Sequence, residues 1–471
     1  MDMKILVNLV FLLCAISSVK CQEAKSQQAI LAEMKKSTFG IELCYPNSVK
    51  RFYKANGFNY AWIKPKDKAG QTWTGMLLLD CVLQFGLNHN DYHPEKLSYD
   101  SLRTMINEPE KVSEVAKVQY DLLLTDALIT FMNHLHYGKL NPEVSSAKID
   151  GGGLKGFSAE SELIGALKGK DFMLTLLSVQ PKTKEYEQLQ SYMRLIKGQY
   201  VDDCYEVPET EARKIAINME RLRWANINGF NYIHINIPSY SVKLHEKDTT
   251  YDFKAIVGKA ESQTPVLSSI VTHFTTGPDR KVSQSVFTKT LLPQAIKNSD
   301  FFERNHYEIY DIKGKHIAIN SYRIRQINSN PAQYFARQSN ACDNSLGALV
   351  FQFSNKFNIY LHDSPNQALF ERDLRALSHG CIRVQQAERL AELLLKYDGS
   401  ESKIPLMQKS VNAYQKRNFI LSSPVPVKVT YLTCEIQDGL PVFYKDIYHL
   451  DETLENQLYG MDESRIADNL R

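Results

Sequence analysis

Hydrophobic residues recur at helical spacing throughout the first part of the chain. Over 114–137, four large apolar residues separated by three or four positions define one face, and a glycine follows directly. Such spacing is typical of a helix that buries one side and ends at a glycine. The same spacing predicts helices over 75–85, 158–168 and 184–196. Residues 22–205 are therefore predicted to form a mostly helical domain.

From about residue 208 the pattern changes to an alternation of apolar and polar positions. Isoleucines alternate with polar residues over 233–237, and valines do so over 425–429. This period of two indicates strands. Pro424 and Pro426 predict an edge strand or the start of a strand, because proline donates no backbone hydrogen bond. Antiparallel strands joined by turns predict a β-sandwich-like domain after the helical one, so the fold class is α+β.

Two further segments refine this division of the chain. Polar, aromatic-rich sequence interrupts the strand pattern over 292–345, which predicts an inserted subdomain. The β-rich domain with its insertion is assigned to 206–450, and 451–471 to a C-terminal tail. Aromatic residues over 52–62 are predicted to pack a short helix and turn onto the helical domain, in preference to forming an exposed sugar-binding platform.

The N-terminus predicts export from the cytoplasm. An unbroken apolar run over 5–16 follows Lys4. This run is shorter than the roughly 20 residues that span a bilayer, so residues 1–21 are predicted to be a signal peptide. Lipid attachment at Cys21 is less favoured, because Lys20 stands where that processing needs a small residue. A periplasmic or cell-envelope location without a later transmembrane segment is expected.

Charge and cysteine spacing argue against several classes of function. The net charge is +3 with lysines and arginines dispersed, which gives no electrostatic case for nucleic acid. The eight cysteines include no Cys-x-x-Cys pair, so no structural zinc site is predicted. His134 and His136 are two apart on a predicted helix and point to different sides. Neither a metal nor another cofactor is therefore expected.

The strongest chemical signal is a short run that contains a histidine and a cysteine and follows another histidine at the end of a predicted strand. The run Ser378-His379-Gly380-Cys381-Ile382-Arg383 comes after His362. A thiol attacks as its thiolate, which is a minor species at neutral pH, and an imidazole within reach can remove the proton. Cys381 is therefore the candidate nucleophile and His362 its candidate base. The alternative is a buried cysteine beside two structural histidines.

Local patterns support this chemistry. Alternation over 356–362 predicts a strand that ends at His362, and helical spacing over 385–397 predicts a helix after Cys381. Gly380 allows the backbone to pass close to a substrate and to direct amide N–H groups at a developing oxyanion.

At these residues the chain resembles the L,D-transpeptidases, in particular their long periplasmic branch. The matching signature is His362, a spacer, then Ser378-His379-Gly380-Cys381 and Arg383. Further landmarks lie between about 48 and 450, among them Gly258 and Thr264-Pro265. The resemblance implies a scaffold domain over 22–205, a catalytic domain over 206–450, and a capping role for the insertion over 292–345.

The resemblance also implies a reaction. Cys381 would attack a tetrapeptide stem of peptidoglycan, release D-alanine and form a thioester, and an amine of a second stem would complete a 3→3 cross-link. Carbapenem-type β-lactams would be covalent inhibitors. The remaining candidate residues are His379, Gly380 and Ser378 for oxyanion or loop support, and Arg383 and Tyr360 for substrate binding.

Other functions use similar residues and stay open. Water instead of an amine would make the protein an L,D-carboxypeptidase, and another acceptor would make it a wall-polymer tethering or releasing enzyme. A cysteine peptidase acting on proteins would also use a cysteine nucleophile and a histidine base, although the run around Cys381 matches no common peptidase signature. A catalytically inactive wall-binding protein is the most distant alternative.

Overall fold

The chain folds as two compact units. In the computed structural model, the first contains the described residues up to 224 together with Thr433–Phe443 and 450–460, and the second contains 231–432 and Tyr444–His449. The predicted signal peptide, the predicted domain boundary at 205 and the last residues of the predicted tail lie outside the described residues. The structure describes residues 27–35, 41–152, 154, 156–197, 209–224, 231–247, 249–305, 307–338 and 346–460.

A long central helix organises the first unit. Helix α5, Glu114–Tyr137, begins at Ser113, whose hydroxyl accepts from the Ala116 N–H, and ends at Gly138. Most of its residues are buried, on all sides of the helix, because other helices surround it. The helices predicted over 114–137, 158–168 and 184–196 are confirmed, whereas the one predicted over 75–85 begins earlier, ends at Asp80 and is followed by a 3₁₀ helix, Val82–Phe85. The helices are numbered here in chain order: α1 (27–34), α2 (Pro46–Ala55), α3 (Gly70–Asp80), α4 (Tyr99–Asn107), α5, α6 (Ser146–Asp150), α7 (Ala159–Lys168), α8 (Phe172–Leu177), α9 (Lys184–Lys197) and α10 (Thr210–Trp224).

A buried carboxylate on α5 holds the aromatic segment that runs from the last turn of α2 to Trp62. Asp121 accepts hydrogen bonds from the Tyr53 hydroxyl at 2.5 Å and from the N–H groups of Ala61 and Trp62 at 2.9 Å. Burial raises the pKa of this carboxyl, and the hydrogen bonds act against that shift. Tyr53 and Trp62 are fully buried, so the predicted packing of this segment is confirmed.

Replacing Asp121 with alanine is expected to destabilise the first unit strongly. Each buried donor left without an acceptor costs about 1–3 kcal/mol, and Asp121 serves several, so a loss of at least about 3 kcal/mol is expected. Urea unfolding followed by tryptophan fluorescence measures it. Asp171→Ala is the control, because Asp171 is an exposed helix cap on α8 and its loss should cost about 1 kcal/mol. Equal losses of unfolding free energy in Asp121→Ala and Asp171→Ala would contradict the role of Asp121 as a buried acceptor.

One large mixed sheet forms the body of the second unit. Its strand order is β11-β3-β12-β10-β9-β4-β13-β1-β2, and β2 also pairs with β3, so the sheet closes on itself. Apolar side chains from strands around this ring fill one core. The strands are β1 (Tyr232–Asn236), β2 (Ser241–Glu246), β3 (Thr249–Gly258), β4 (Leu267–Thr276), β9 (Leu349–Phe353), β10 (Leu361–His362), β11 (Ala376–Ser378), β12 (Ile382–Val384) and β13 (Arg417–Thr430).

The pairing is less uniformly antiparallel than the sequence indicated. Three pairs, β1–β13, β10–β12 and β11–β3, are parallel. Strand β13 also lies inside the sheet, between β4 and β1, and the prolines stand in its middle, although they predicted an edge strand or the start of a strand. Its pairing with β1 begins only at Val427, beyond both prolines. Pro426 pairs with Ile270 of β4, and Pro424 lies in the irregular stretch between Ile420 and Val425 where the register with β4 shifts. The α+β class is confirmed.

The insertion forms a second, smaller sheet with its own apolar core. The order is β5-β8-β6-β7, and Ile309, Ala336 and Phe287 are fully buried beneath it. It begins at Arg280, earlier than the predicted 292, because β5 is a two-residue strand recognisable only by its pairing with β8. Its elements are β5 (Arg280–Lys281), α11 (Gln284–Val286), α12 (Leu292–Lys297), α13 (Phe301–Arg304), β6 (Tyr307–Asp311), β7 (His316–Ile317), α14 (Ser321–Ser329) and β8 (Tyr334–Gln338).

The last described segments divide between the units. Helices α15 (Ala387–Tyr397) and α16 (Ile404–Asn412) belong to the second unit, and α15 confirms the helix predicted after Cys381. Hairpin β14–β15 and helix α17 belong to the first. The predicted tail is therefore partly helical, and Arg221 on α10 holds it by donating to Asp451 at 2.6 Å. These elements are β14 (Cys434–Gln437), β15 (Leu440–Phe443) and α17 (Asp451–Tyr459).

None of the helices in the described part of the chain has both the length and the apolar character needed to cross a bilayer.

Candidate active site

Two parallel strands place the candidate nucleophile and base on one face of the sheet. In the β10–β12 pair, His362 lies opposite Arg383, and Leu361 lies opposite Ile382. The Ile382 N–H donates to the Tyr360 carbonyl at 2.9 Å, which continues this register back toward Cys381. Leu361 and Ile382 are fully buried in the core. Since side chains alternate along a strand, His362 and Cys381 both point to the opposite face.

The imidazole of His362 is held in one tautomer by the backbone. Its Nδ1 lies 2.6 Å from the Asp363 carbonyl oxygen, which can only accept, so Nδ1–H donates, and in the neutral ring Nε2 carries the lone pair. The ring is 4% exposed. An imidazole in this state can remove a proton through Nε2.

The carboxylate of Asp363 serves the backbone and not the imidazole. It accepts from the Ala348 N–H at 3.0 Å, and burial raises its pKa. Gly347, beside it, has φ +64°, and a side chain there would overlap the Asp363 carboxylate. The orienting partner of His362 is therefore a carbonyl group, in place of the acid of a conventional triad.

The loop that bears Cys381 is tied by a serine. The Ser378 hydroxyl donates to the Cys381 carbonyl at 2.5 Å and accepts from the Gly380 N–H at 3.1 Å. Gly380 has φ +110°, which side-chain-bearing residues rarely adopt. The Gly380 amide is thus directed at Ser378, so Gly380 supports the loop and its own N–H is not aimed at a substrate.

A network of hydrogen bonds beneath this loop is centred on Thr264, for which the sequence had predicted no role. The Thr264 hydroxyl donates to the Gly380 carbonyl at 2.8 Å and accepts from the Gly258 N–H at 2.9 Å. The Tyr448 hydroxyl accepts from the Thr264 N–H at 3.1 Å and donates to the Gly258 carbonyl at 2.6 Å. Thr264 is 2% exposed. The network therefore fixes the backbone next to Cys381 from below.

The substitution Thr264→Val is expected to slow the reaction of Cys381. Valine keeps the shape but leaves the Gly380 carbonyl and Gly258 N–H without partners, at about 1–3 kcal/mol each. A loosened loop should lower kcat about 10-fold, with little change in KM. Steady-state kinetics tests this, with Thr272→Val, an exposed position on β4, as the control. An unchanged kcat for Thr264→Val would contradict the role.

The segment before β10 differs from its prediction. A strand was expected over 356–362, but only Leu361–His362 is a strand. The Asn355 side-chain oxygen accepts from the N–H groups of Phe357 and Ile359 at 3.1 Å, which bends the chain into a turn. Asn358 has φ +54° within it. The turn leaves Tyr360 exposed at the mouth of the site.

A cavity of about 750 Å³ brings together most of the predicted site residues. The insertion forms part of its wall, so the small sheet and the large sheet share this cavity within the second unit. Gly380 is the one predicted site residue that is not among the lining side chains. The lining residues are Lys281, Val282, Ser283, Gln284, Val286, Ile312, Ala332, Tyr334, Phe335, Leu346, Phe357, Asn358, Ile359, Tyr360, His362, Ser378, His379, Cys381 and Arg383.

Two cations line the cavity. Arg383 lies on β12, just after Cys381, and Lys281 is contributed by β5 of the insertion. The Lys281 ammonium lies 4.1 Å from the centre of the Phe335 ring, a cation–π contact. Lys281 had not been marked by any sequence motif. Together the two cations make the cavity suited to a substrate that carries carboxylates.

Burial makes the thiol of Cys434 a poor nucleophile. It raises the pKa of Cys434 to about 12, so that its thiolate is scarce at neutral pH. Cys204 and Cys342 lie outside the described residues. Cys381 is thus the cysteine that lines the cavity with an imidazole beside it.

Comparison with known proteins agrees with this geometry. A family model of the L,D-transpeptidase catalytic domain matches residues 231–425, and a model of a scaffold domain matches 47–193. The chain therefore contains an L,D-transpeptidase catalytic domain and a scaffold domain. It is also similar to a Haemophilus influenzae protein named "Putative L,D-transpeptidase", with 33% identity over 249 residues. That match covers 51% of this chain and 49% of the relative, so the chain spans about half the length of the curated relative it matches.

Proposed function

We propose that this protein is an L,D-transpeptidase that forms 3→3 cross-links in peptidoglycan through a thioester on Cys381. The observation that carries the proposal is the placement of His362 and Cys381 on one face of parallel strands, in one cavity, with the imidazole in the tautomer of a base. The family match and the named relative support the reaction class.

The first half-reaction acylates the enzyme. His362 Nε2 takes the Cys381 proton, and the thiolate attacks the carbonyl carbon of the third residue in a donor tetrapeptide. The tetrahedral intermediate collapses with cleavage of the peptide bond, and the leaving amine of D-alanine takes the proton from His362. The N–H groups of His379 and Cys381 are the proposed oxyanion donors, each worth roughly 2.7–4 kcal/mol where such donors have been removed in other enzymes.

The second half-reaction restores the thiol. A side-chain amine of a second stem attacks the thioester carbonyl, and His362 takes the amine proton. Cleavage of the C–S bond forms the new amide, and the proton returns from His362 to Cys381. Water competes with the amine, so exclusion of water by the cavity wall favours cross-linking. The insertion supplies part of that wall.

Lys281 is proposed to bind a substrate carboxylate. The substitution Lys281→Met keeps the aliphatic stem but removes the charge, and KM for the donor should rise about 10-fold with kcat nearly unchanged. Because Lys281 is exposed, the difference should shrink at high salt. Lys297→Met, an exposed position on α12 outside the cavity, is the control. A fall in kcat at constant KM would contradict a binding role.

Product analysis tests the proposed function directly. The chain from residue 22 is incubated with purified disaccharide-tetrapeptide, and the products are identified by mass spectrometry. A cross-linked dimer with loss of D-alanine is expected. Tripeptide without dimer would replace the proposal by L,D-carboxypeptidase activity, and unchanged substrate would contradict both. Incubation with a carbapenem should add one inhibitor mass to the peptide that contains Cys381.

A further inference from the structure

Three potential metal ligands meet in the first unit, from segments that are far apart in the sequence. Cys44 lies just before α2, His93 directly follows the short 3₁₀ helix His89–Tyr92, and Asp126 lies on α5. One donor atom from each is within 4.8 Å of the other two. The separations of 82 residues from Cys44 to Asp126 and 33 from His93 to Asp126 explain why no spacing motif indicated them.

The carboxylate of Asp126 is held rigidly at the centre of this cluster. Its side chain is fully buried, and its Oδ1 accepts from the Tyr45 N–H at 2.8 Å. Its Oδ2 accepts from the Cys44 N–H at 2.9 Å and lies 2.8 Å from His93 Nε2. The hydrogen bonds from the two backbone N–H groups explain how Asp126 stabilises the start of α2. They do not explain why a thiol and an imidazole both lie beside this carboxylate.

His93 is held in a conformation that costs energy. Its φ is +55°, in the left-handed region that residues with a side chain seldom adopt. Such backbone persists where surrounding contacts over-determine it, and it is frequent at ligand sites. Here it brings the imidazole to Asp126, with only 14% of the side chain exposed.

We propose that Cys44, His93 and Asp126 bind a zinc-class divalent cation, with a fourth position open to water. Thiolate, imidazole and carboxylate are the ligand types that Zn²⁺ takes, and three protein ligands with an open position is an established arrangement for it. Donors around a tetrahedral Zn²⁺ lie about 3.4 Å apart, as bond lengths of about 2.0–2.3 Å require. The present separations, which do not exceed 4.8 Å, reach that geometry through small side-chain movements.

Charge and access are consistent with this assignment. A divalent cation would neutralise the two negative charges of a Cys44 thiolate and the Asp126 carboxylate, which otherwise repel each other. Binding releases the thiol proton, and the N–H proton of His93 Nε2 moves to solvent or to Nδ1. Cys44 is exposed, so the ion and its water ligand can reach the cluster from solvent. Bound metal would link α5 to the segments before α2 and after His89–Tyr92.

Metal titration of the full chain tests the proposal. The protein carries Cys381→Ala, so that the active-site thiol binds no metal, and is stripped with a chelator. Zn²⁺ is expected to bind at one equivalent and to raise the melting temperature by several degrees. Co²⁺ is expected to give a thiolate charge-transfer band and the strong visible absorption of tetrahedral cobalt. Cys44→Ser should lose the charge-transfer band, because the band arises from the thiolate, and Cys44→Ser and His93→Gln should each lose at least 10-fold in affinity.

Cys81→Ser is the matched control, because Cys81 is a cysteine of the same unit outside the cluster. Cys81→Ser should keep the cobalt charge-transfer band and the zinc affinity of the parent protein. The metal-free melting temperature of each variant shows whether the variant is folded, and His93→Gln provides the test if Cys44→Ser is not. Binding well below one equivalent, cobalt binding without a charge-transfer band, or equal affinity in Cys44→Ser would each overturn the proposal.

Discussion

Replacing Cys381 with alanine is expected to remove all measurable cross-linking and all covalent labelling by a carbapenem. No other group in the cavity can form the proposed thioester, so the loss in kcat should approach the roughly 10⁶-fold seen when a catalytic nucleophile is removed from a hydrolase. Cys381 is only partly exposed, and alanine fits its place, so the fold should be retained. Mass spectrometry of products and of the intact protein provides both readouts.

The matched control for this variant is Cys81→Ser, which changes a thiol outside the cavity. It should retain full activity and one label per chain. Labelling of Cys381→Ala at the parent rate would show that another residue is the nucleophile. Donor binding should survive in Cys381→Ala, because Lys281 and Arg383 remain, and binding can be measured by calorimetry.

The proposed nucleophile and base could be singled out in the sequence because they lie close together with a defined spacing. A 3₁₀ helix, Gln367–Glu371, and strand β11 are the only regular elements that the structure describes between His362 and Cys381. A thiol and an imidazole so close in sequence indicate a nucleophile and a base. The helix after Cys381 followed from local periodicity, whereas only Leu361–His362 of the strand predicted over 356–362 is a strand. The parallel pairing of β10 with β12, which puts the two side chains on one face, did not follow, because register is a non-local property.

Long-range contacts account for the parts that the sequence did not predict. Thr264 supports the Gly380 carbonyl over a separation of 116 residues, and a threonine in a turn carries no signal of such a role. Lys281 reaches the cavity because β5 pairs with β8, and a two-residue strand has no detectable periodicity. Helix α17 is held by the ion pair of Arg221 with Asp451, across 230 residues. Such contacts are visible only once the chain is folded.

Replacing His362 with glutamine is expected to slow acylation of Cys381 by about 10²–10⁴-fold, the usual contribution of a general base. Glutamine can occupy a similar volume but cannot take the thiol proton. The thiolate of the variant must then form without help, and an ordinary cysteine has a pKa of about 8.5. Its labelling rate should therefore rise with pH through this region, whereas the parent should already react well at neutral pH. Stopped-flow measurement of carbapenem labelling across pH 6–10 provides the comparison.

His379→Gln separates the two histidines of the motif. Both line the cavity, but the Nδ1 of His362 is fixed by the Asp363 carbonyl, which leaves Nε2 with the lone pair that a base requires. We expect His379→Gln to lower the rate less than His362→Gln and to keep the parent's pH profile. If His379→Gln acquired the alkaline profile while His362→Gln kept the neutral one, His379 would be the base. The fixed tautomer of His362 would then serve only to shape the cavity.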